Sequence, residues 1–341
     1  MAENVETNMM RALVYEGPRT MNMRTVPIPE PGEQEVLIRV ERVGICGSEL
    51  GGYLGHNSLR KPPLIMGHEF SGVIVKTGTG ANKLGVGARV TVNPLQTCGQ
   101  CSDCLHDNHQ LCQQRKLLGA HLPGAFAEYV VVAEPNVYPI PDSLSFEEAA
   151  LTEPFACAVH LCRLISMKRD DSLLIMGAGP IGLFALTAAR TLGLSHIIVS
   201  DLNPDRLKIV TELGGIPAHS QEELAAWKPA DGFHAAIDAV GMQVTRQQCV
   251  ESVRRGGRVG FTGLHEADST LPVNTIIREE LKLFGAFAYA QNDFETALRF
   301  IAEGKVNLLP WTVHQPLEQG SACFEKLISG PGAIAKIMLY L

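Results

Sequence analysis

Apolar and polar positions along the chain fall into two regimes. Across residues 11–140 the apolar runs are short and bounded by Gly, Pro or Asn. Val36, Ile38 and Val40 alternate with Leu37, Arg39 and Glu41, and residues 70–75, 88–92 and 127–132 form similar runs. Period-two alternation of this length predicts strands with one face packed more deeply. Pro27, Pro29 and Pro31 predict an extended segment outside any central ladder, because proline has no N–H to donate. The region predicts a mainly antiparallel β domain.

The middle of the chain changes period. Residues 173–176 are continuously apolar, a glycine turn follows, and residues 181–192 carry helical spacing. Residues 196–201 predict a second strand. Asn203 and Pro204 then predict a helix start, since Asn caps well and proline at the first helical position loses no needed hydrogen bond. Residues 233–240 and 258–261 are further apolar strands between helical stretches. Alternating β and α with continuously apolar strands predicts a doubly wound parallel sheet covered on both faces. Phe294, Ala297, Leu298 and Ile301 mark an amphipathic helix, and residues 335–341 a last strand.

Composition narrows the function classes. With 341 residues, 45% hydrophobic and 19% charged, the chain is long enough for two domains with real cores. Thirty-six acids against 29 Lys and Arg, a net charge of −7, argue against a nucleic-acid partner. No window approaches the ~18 apolar residues of a membrane span. Residues 1–10 are polar, lack a secretory pattern and read as a frayed leader, so a cytoplasmic protein is expected.

Nine cysteines without a signal peptide make a poor disulfide framework. Cys98, Cys101, Cys104 and Cys112 fall within fifteen residues, and four thiolates at such spacing can close a tetrahedral zinc shell. A closed shell has no open position, so that site is structural. A redox dithiol and an iron–sulfur cluster use the same residue type and are the rivals. His106 and His109, inside the loop, are competing ligands or solvated loop residues.

Gly177-Ala178-Gly179-Pro180-Ile181-Gly182 stands between a predicted strand and helix. Gly177 permits the tight turn, Gly179 lets a pyrophosphate approach the backbone, and Gly182 lets the helix pack close. The helix N-terminus, with Pro180 and Ile181, supplies N–H groups and positive dipole. Asp201 ends the next strand, where a carboxylate accepts both ribose hydroxyls and repels a 2′-phosphate; this favours NAD over NADP. Leu202 and Arg206 lie just beyond, Arg206 to stack on adenine or simply to meet solvent. Thr262, Gly263 and Leu264 follow a strand and are candidates for the nicotinamide half.

Cys46 lies in Gly44-Ile45-Cys46-Gly47-Ser48, after a strand and before a short predicted helix. His68 and Glu69 lie in Gly67-His68-Glu69-Phe70-Ser71-Gly72, with Gly78 six residues on. Taken singly, a buried Cys and a hydrogen-bonded core His explain both. Together with the cysteine lobe and the dinucleotide turn, these motifs make nearly the whole chain resemble the zinc-dependent medium-chain alcohol dehydrogenase family. Glu153-Pro154-Phe155-Ala156 resembles the Glu-Pro segment of its polyol and threonine dehydrogenase branch.

The resemblance implies a GroES-like catalytic domain (1–152 and 291–341, with a structural zinc lobe at 94–115) and a Rossmann coenzyme domain (153–290). It implies NAD as coenzyme and two zinc ions, the catalytic one held by Cys46 and His68 with Glu69 and Glu153 at or near the metal. Zinc acts as a redox-inert Lewis acid on an alcohol or ketone oxygen. Ser48 is implied as the hydroxyl that relays the substrate proton; an N-cap serine is its plain reading. Glu49 departs from the branch's usual Asp, and the branch's nearby His is missing from Leu50-Gly51-Gly52-Tyr53, leaving His56 as a substitute. His160, seven residues after Glu153, is implied as a pocket neighbour or a packed core residue. The expected activity is hydride transfer between NAD and a secondary alcohol (polyol, sugar alcohol or hydroxy amino acid) in a homodimer or homotetramer. The alternatives are a zinc-free quinone or enone reductase and a non-catalytic dinucleotide- and zinc-binding protein.

Overall fold

The computed structural model describes residues 8–56 and 58–341. The chain divides into two compact units. One holds the described residues up to Glu153, with Leu298–Pro331 and Lys336–Leu341; the other holds Pro154–Ala297 and Gly332–Ala335.

The first unit is built on a seven-stranded sheet. Its path runs Val137–Pro139, Arg89–Val92, Glu69–Thr77, Glu35–Gly44, Lys336–Tyr340 and Thr312–Pro316, and Tyr129–Ala133 pairs beside Glu35–Gly44. Pairing is antiparallel except between the last two strands on the path, which run parallel. Val36, Ile38 and Val40 are buried while Arg39 points outward, as the alternation predicts. Ala127 falls outside the strand expected at 127–132 and makes an isolated bridge to Ala12.

Met9 and Met10 open the strand Met9–Gly17 rather than ending a frayed leader, because Met10 is buried in a small apolar cluster with Ala12, Val14 and Ala127. The rest of the leader reading falls on residues 1–7, outside the described residues. Pro27 ends the strand Thr20–Pro27, which pairs only with Met9–Gly17 among the described residues; Pro29 and Pro31 lie in the connection beyond.

The second unit is a six-stranded, all-parallel sheet in the order Ile216–Ala218, His196–Ser200, Ser172–Met176, Phe233–Asp238, Val253–Phe261, Lys282–Gly285. Every residue of Ser172–Met176 is buried, which is why the strand reads as continuously apolar. Chain order reverses beside this first strand, so the turn at its carboxyl end lies at the switch point where such sheets take ligands. Among the described residues, no helix is long and apolar enough to cross a membrane.

Candidate active site and metal centres

Cys46 is the N-cap of the helix Gly47–Tyr53, in extended conformation. Ser48 therefore lies inside the first turn and is not the cap, which removes its plain reading. Gly67 turns the chain with φ +97°, and a Cβ on it would lie 2.7 Å from the Phe126 nitrogen, so glycine is required there. The turn delivers His68 and Glu69 to the start of Glu69–Thr77, where Glu69 pairs in register with Gly44. One ligand atom each from Cys46, His68 and Glu69 all lie within 4.8 Å of one another. A thiol, an imidazole and a carboxylate so converged, with His68 and Glu69 buried, fit a divalent cation of zinc type.

Glu49 holds this arrangement together. Fully buried, it accepts the Cys46 N–H at 3.0 Å and the Gly67 N–H at 2.8 Å, and it faces His68 Nδ1 at 2.9 Å. With Nδ1–H donated to the carboxylate, His68 keeps its Nε2 lone pair for a metal. Burial raises the Glu49 pKa, yet His68, Arg60 and the Cys46 N–H bring it below the usual value. Burial likewise opposes a charged His68, and Glu49 and Cys46 outweigh it, so its pKa stands well above normal. The position draws positive charge.

Lys336, 3% exposed, pairs with Glu69 Oε2. Gly44 makes room for the pair, since a Cβ on it would lie 2.5 Å from Glu69 Oε2 and 2.9 Å from Lys336 Cε. Burial lowers the ammonium pKa, but Glu69, Cys46 and Glu153 raise it further. Glu153, also buried, sits in the first turn of Thr152–Leu164; the tight cluster comprises Cys46, His68 and Glu69 without it. Ser48 Oγ donates to Cys46 Sγ at 3.4 Å and accepts from the buried Arg60 at 3.1 Å. His56 is an exposed loop residue.

In the cysteine lobe the Sγ–Sγ distances are 3.9 Å (Cys98–Cys104), 3.5 Å (Cys101–Cys104) and 3.6 Å (Cys112–Cys98). Tetrahedral zinc with Zn–S near ~2.3 Å requires sulfurs about 3.8 Å apart, which these distances fit. A cage cluster binds its thiolates on different irons and spreads them wider, so the fit is poorer. Backbone N–H groups of Gln100 and Cys101 hold the Cys98 thiol down to about 6, favouring the thiolate a metal needs. Among the described residues the converged set is cysteine alone. His106 bonds the Ser102 carbonyl and is exposed. His109 is half-buried, with an unpartnered Nδ1.

In the second unit, Gly177 has φ +100°, and a Cβ on Gly182 would fall 1.8 Å from the Gly177 oxygen. Nothing lies within 4 Å of a Cβ on Gly179, the N-cap of Pro180–Thr191, so the mouth of the turn is open to a pyrophosphate. Asp201 reaches back to accept the Ala178 N–H at 2.6 Å and the Asn203 N–H at 2.7 Å. Its carboxylate thus lies against the cradle, with lone pairs left for hydroxyls. Leu202 is 88% exposed, and the Arg206 Nε is buried without a partner. Thr262, Gly263 and Leu264 line a cavity of about 570 Å³ with Arg246, Phe261 and Phe287. His160 bonds Asp293 at 2.7 Å, and Arg163 bonds the same carboxylate at 2.7 Å. His160 and Asp293 are buried and Arg163 is exposed at their edge, all three within the second unit.

Sequence reasoning missed Arg60, Lys336 and Asp293. Lys336 carries a signal in hindsight, a lone charge in an apolar terminal strand. Arg60, in a short loop beside Lys61 and Pro62, carries none.

An alcohol dehydrogenase GroES-like domain matches residues 32–142, and a zinc-binding dehydrogenase domain matches residues 180–303. Sorbitol dehydrogenase of Bacillus subtilis is 35% identical, covering 100% of this chain and 99% of that protein. L-threonine 3-dehydrogenase of Rhizobium johnstonii is 33% identical over 91% of this chain and 92% of its own. Among solved structures, an alcohol dehydrogenase from Escherichia coli complexed with NADH has TM-score 0.91 at 28% identity, covering 98% of this chain and 100% of that one. A zinc-binding dehydrogenase from Sinorhizobium meliloti bound to NADP has TM-score 0.90 at 28% identity, with the same coverage.

Proposed function

From a chain that belongs to the zinc-dependent medium-chain alcohol dehydrogenase family, in its polyol and threonine dehydrogenase branch, we propose the following division of labour for an oxidoreductase acting on CH–OH groups. Cys46, His68 and Glu69 hold a catalytic zinc, with Glu153 completing or adjoining the ligand set. Cys98, Cys101, Cys104 and Cys112 hold a second, structural zinc. The carrying observation is the convergence of the Cys46, His68 and Glu69 ligand atoms within 4.8 Å.

When bound, zinc supplies Lewis acidity to the substrate oxygen and the nicotinamide accepts or returns hydride. The chain's residues do the rest. Glu49 fixes the His68 tautomer and the Cys46 backbone, setting two ligands at once. Glu69 meets Lys336 through Oε2, which leaves Oε1 for the cation. Ser48 Oγ, beside Cys46, holds the proton that leaves the substrate hydroxyl. The turn 177–182 binds the pyrophosphate, with Pro180 and Ile181 opening the helix behind it. Asp201 accepts the ribose hydroxyls and sets a preference for NAD over NADP, with Leu202 and Arg206 flanking the adenine side. Thr262, Gly263 and Leu264 border the nicotinamide half.

The substrate read from the branch is a secondary alcohol: a polyol, sugar alcohol or hydroxy amino acid. The catalytic domain comprises 1–152 and 291–341 and the coenzyme domain 153–290, in a cytoplasmic homodimer or homotetramer. The test is NADH absorbance with zinc-loaded protein on sorbitol, L-threonine and simple secondary alcohols, alongside metal analysis. Turnover with two zinc per chain is expected; no turnover on any alcohol, or a single zinc, overturns the reading.

A further inference from the structure

Arg60 is 4% exposed, and its guanidinium stays charged in a protein interior. Among the described residues it forms no ion pair, and its Nε is buried without a hydrogen-bond partner. A buried cation kept without a direct carboxylate partner is costly, so its placement calls for a function. The donors it does engage go to one residue. Nη1 donates to the Ser48 carbonyl and Nη2 to Ser48 Oγ, both at 3.1 Å. Gly52 gives the side chain its room, since a Cβ there would lie 2.4 Å from Arg60 Cδ.

We propose that Arg60 is the positioning residue of Ser48, clamping its backbone and hydroxyl so that the hydroxyl hydrogen faces the Cys46 side of the site. This rests on the reading of Ser48 as the group that holds the substrate proton. A serine hydroxyl has one hydrogen and two lone pairs. Nη2 occupies one lone pair, and the hydrogen points to Cys46 Sγ at 3.4 Å. One lone pair is left to receive a proton. To relay, Oγ takes the substrate proton on that lone pair as its own hydrogen turns from Cys46 Sγ to a water; the guanidinium has no lone pair to be that acceptor, so Arg60 shuts the exit on its own side.

The experiment compares Arg60→Met, Arg60→Lys, Gly52→Ala, Ser48→Ala and the Arg60→Met/Ser48→Ala double variant in the zinc-loaded enzyme. The substrate is the fastest alcohol among sorbitol, L-threonine and 2,3-butanediol. The readouts are kcat, its solvent deuterium isotope effect, the Kd for NADH and the thermal midpoint. Arg60→Met is expected to lower kcat ~10-fold or more and change the isotope effect, with the Kd for NADH unmoved. It should cost nothing further in the Ser48→Ala background, and Arg60→Lys should recover part of the loss. Gly52→Ala keeps the charge but forces Arg60 Cδ aside, so kcat should fall by more than its loss of thermal midpoint accounts for.

A loss that adds to that of Ser48→Ala, or that follows the melting temperature, overturns the proposal. So does full activity in Gly52→Ala, which decides the matter even if Arg60→Met does not fold. A slow Ser48→Ala beside an unimpaired Arg60→Met rejects Arg60 alone. A fully active Ser48→Ala rejects both readings.

Discussion

Glu49 and His68 face each other, Oε1 to Nδ1, at 2.9 Å in a fully buried pair. The same carboxylate closes the first turn of Gly47–Tyr53 through the Cys46 N–H, so one side chain sets the approach of both a thiol and an imidazole. The longer side chain, where the branch usually carries Asp, still makes both contacts.

Glu49→Gln tests this coupling. The amide cannot accept from His68, Cys46 and Gly67 at once, because one end now donates. Outer partners of metal ligands are typically worth ~10–100-fold in affinity, and a loss of that size is expected for zinc at Cys46 and His68 in chelator competition. Zinc in the cysteine lobe should be unaffected. Equal retention of both zinc ions would contradict the coupling.

Cys46→Ser and His68→Ala should abolish turnover while leaving NADH binding intact. Their side chains belong to the first unit, whereas the turn 177–182 and Asp201 belong to the second. Quenching or enhancement of NADH fluorescence measures the binding directly. Loss of NADH affinity together with turnover would contradict separate sites.

Cys101→Ser should act on stability. Its Sγ lies 3.5 Å from that of Cys104, and a structural zinc contributes its binding energy to folding. A fall of roughly 5–10 °C in the thermal midpoint is expected, with the catalytic zinc retained. An unchanged midpoint would remove the structural assignment.

The sequence made some features legible because their cause is local. Residues 173–176 read as a buried strand because both faces are covered, and Asn203 read as a cap because its side chain accepts the Asp205 and Arg206 N–H groups. Cys46 and His68 were legible through glycines: Gly67 takes a positive φ that few other residues tolerate. What stayed hidden depends on tertiary pairing. Lys336 meets Glu69 only because the terminal strand pairs antiparallel with Glu35–Gly44, a register fixed across some 300 residues of chain. Arg60 and Asp293 find Ser48 and His160 through packing that no periodicity encodes. Ser48 misled in its plain reading because the cap falls two residues earlier, on Cys46.

Asp201→Asn should narrow the preference for NAD over NADP. Its carboxylate lies against the cradle, held by the Ala178 and Asn203 N–H groups, and the amide can keep one of these contacts while losing the charge that repels a 2′-phosphate. The ratio of kcat/KM for the two coenzymes should shrink about tenfold, which corresponds to ~1.4 kcal/mol. A wild-type enzyme that already prefers NADP would refute the ribose role.

Asp293 gives a pH dependence of defined sign. Burial raises its pKa, but hydrogen bonds from His160 and Arg163 outweigh that and bring it to about 2. An unfolded Asp titrates near ~3.9, so between these values the unfolded chain binds more protons than the folded one. The stabilisation, on the order of 2 kcal/mol, is therefore complete above about pH 4 and disappears as pH falls towards 2. Asp293→Asn removes it at neutral pH and also strands the His160 and Arg163 donors around an uncharged amide. The variant should melt lower at pH 7, and the gap from the wild type should close as the midpoint is followed down through pH 4 to 2. A gap of constant size across that range would show that the carboxylate acts by shape alone.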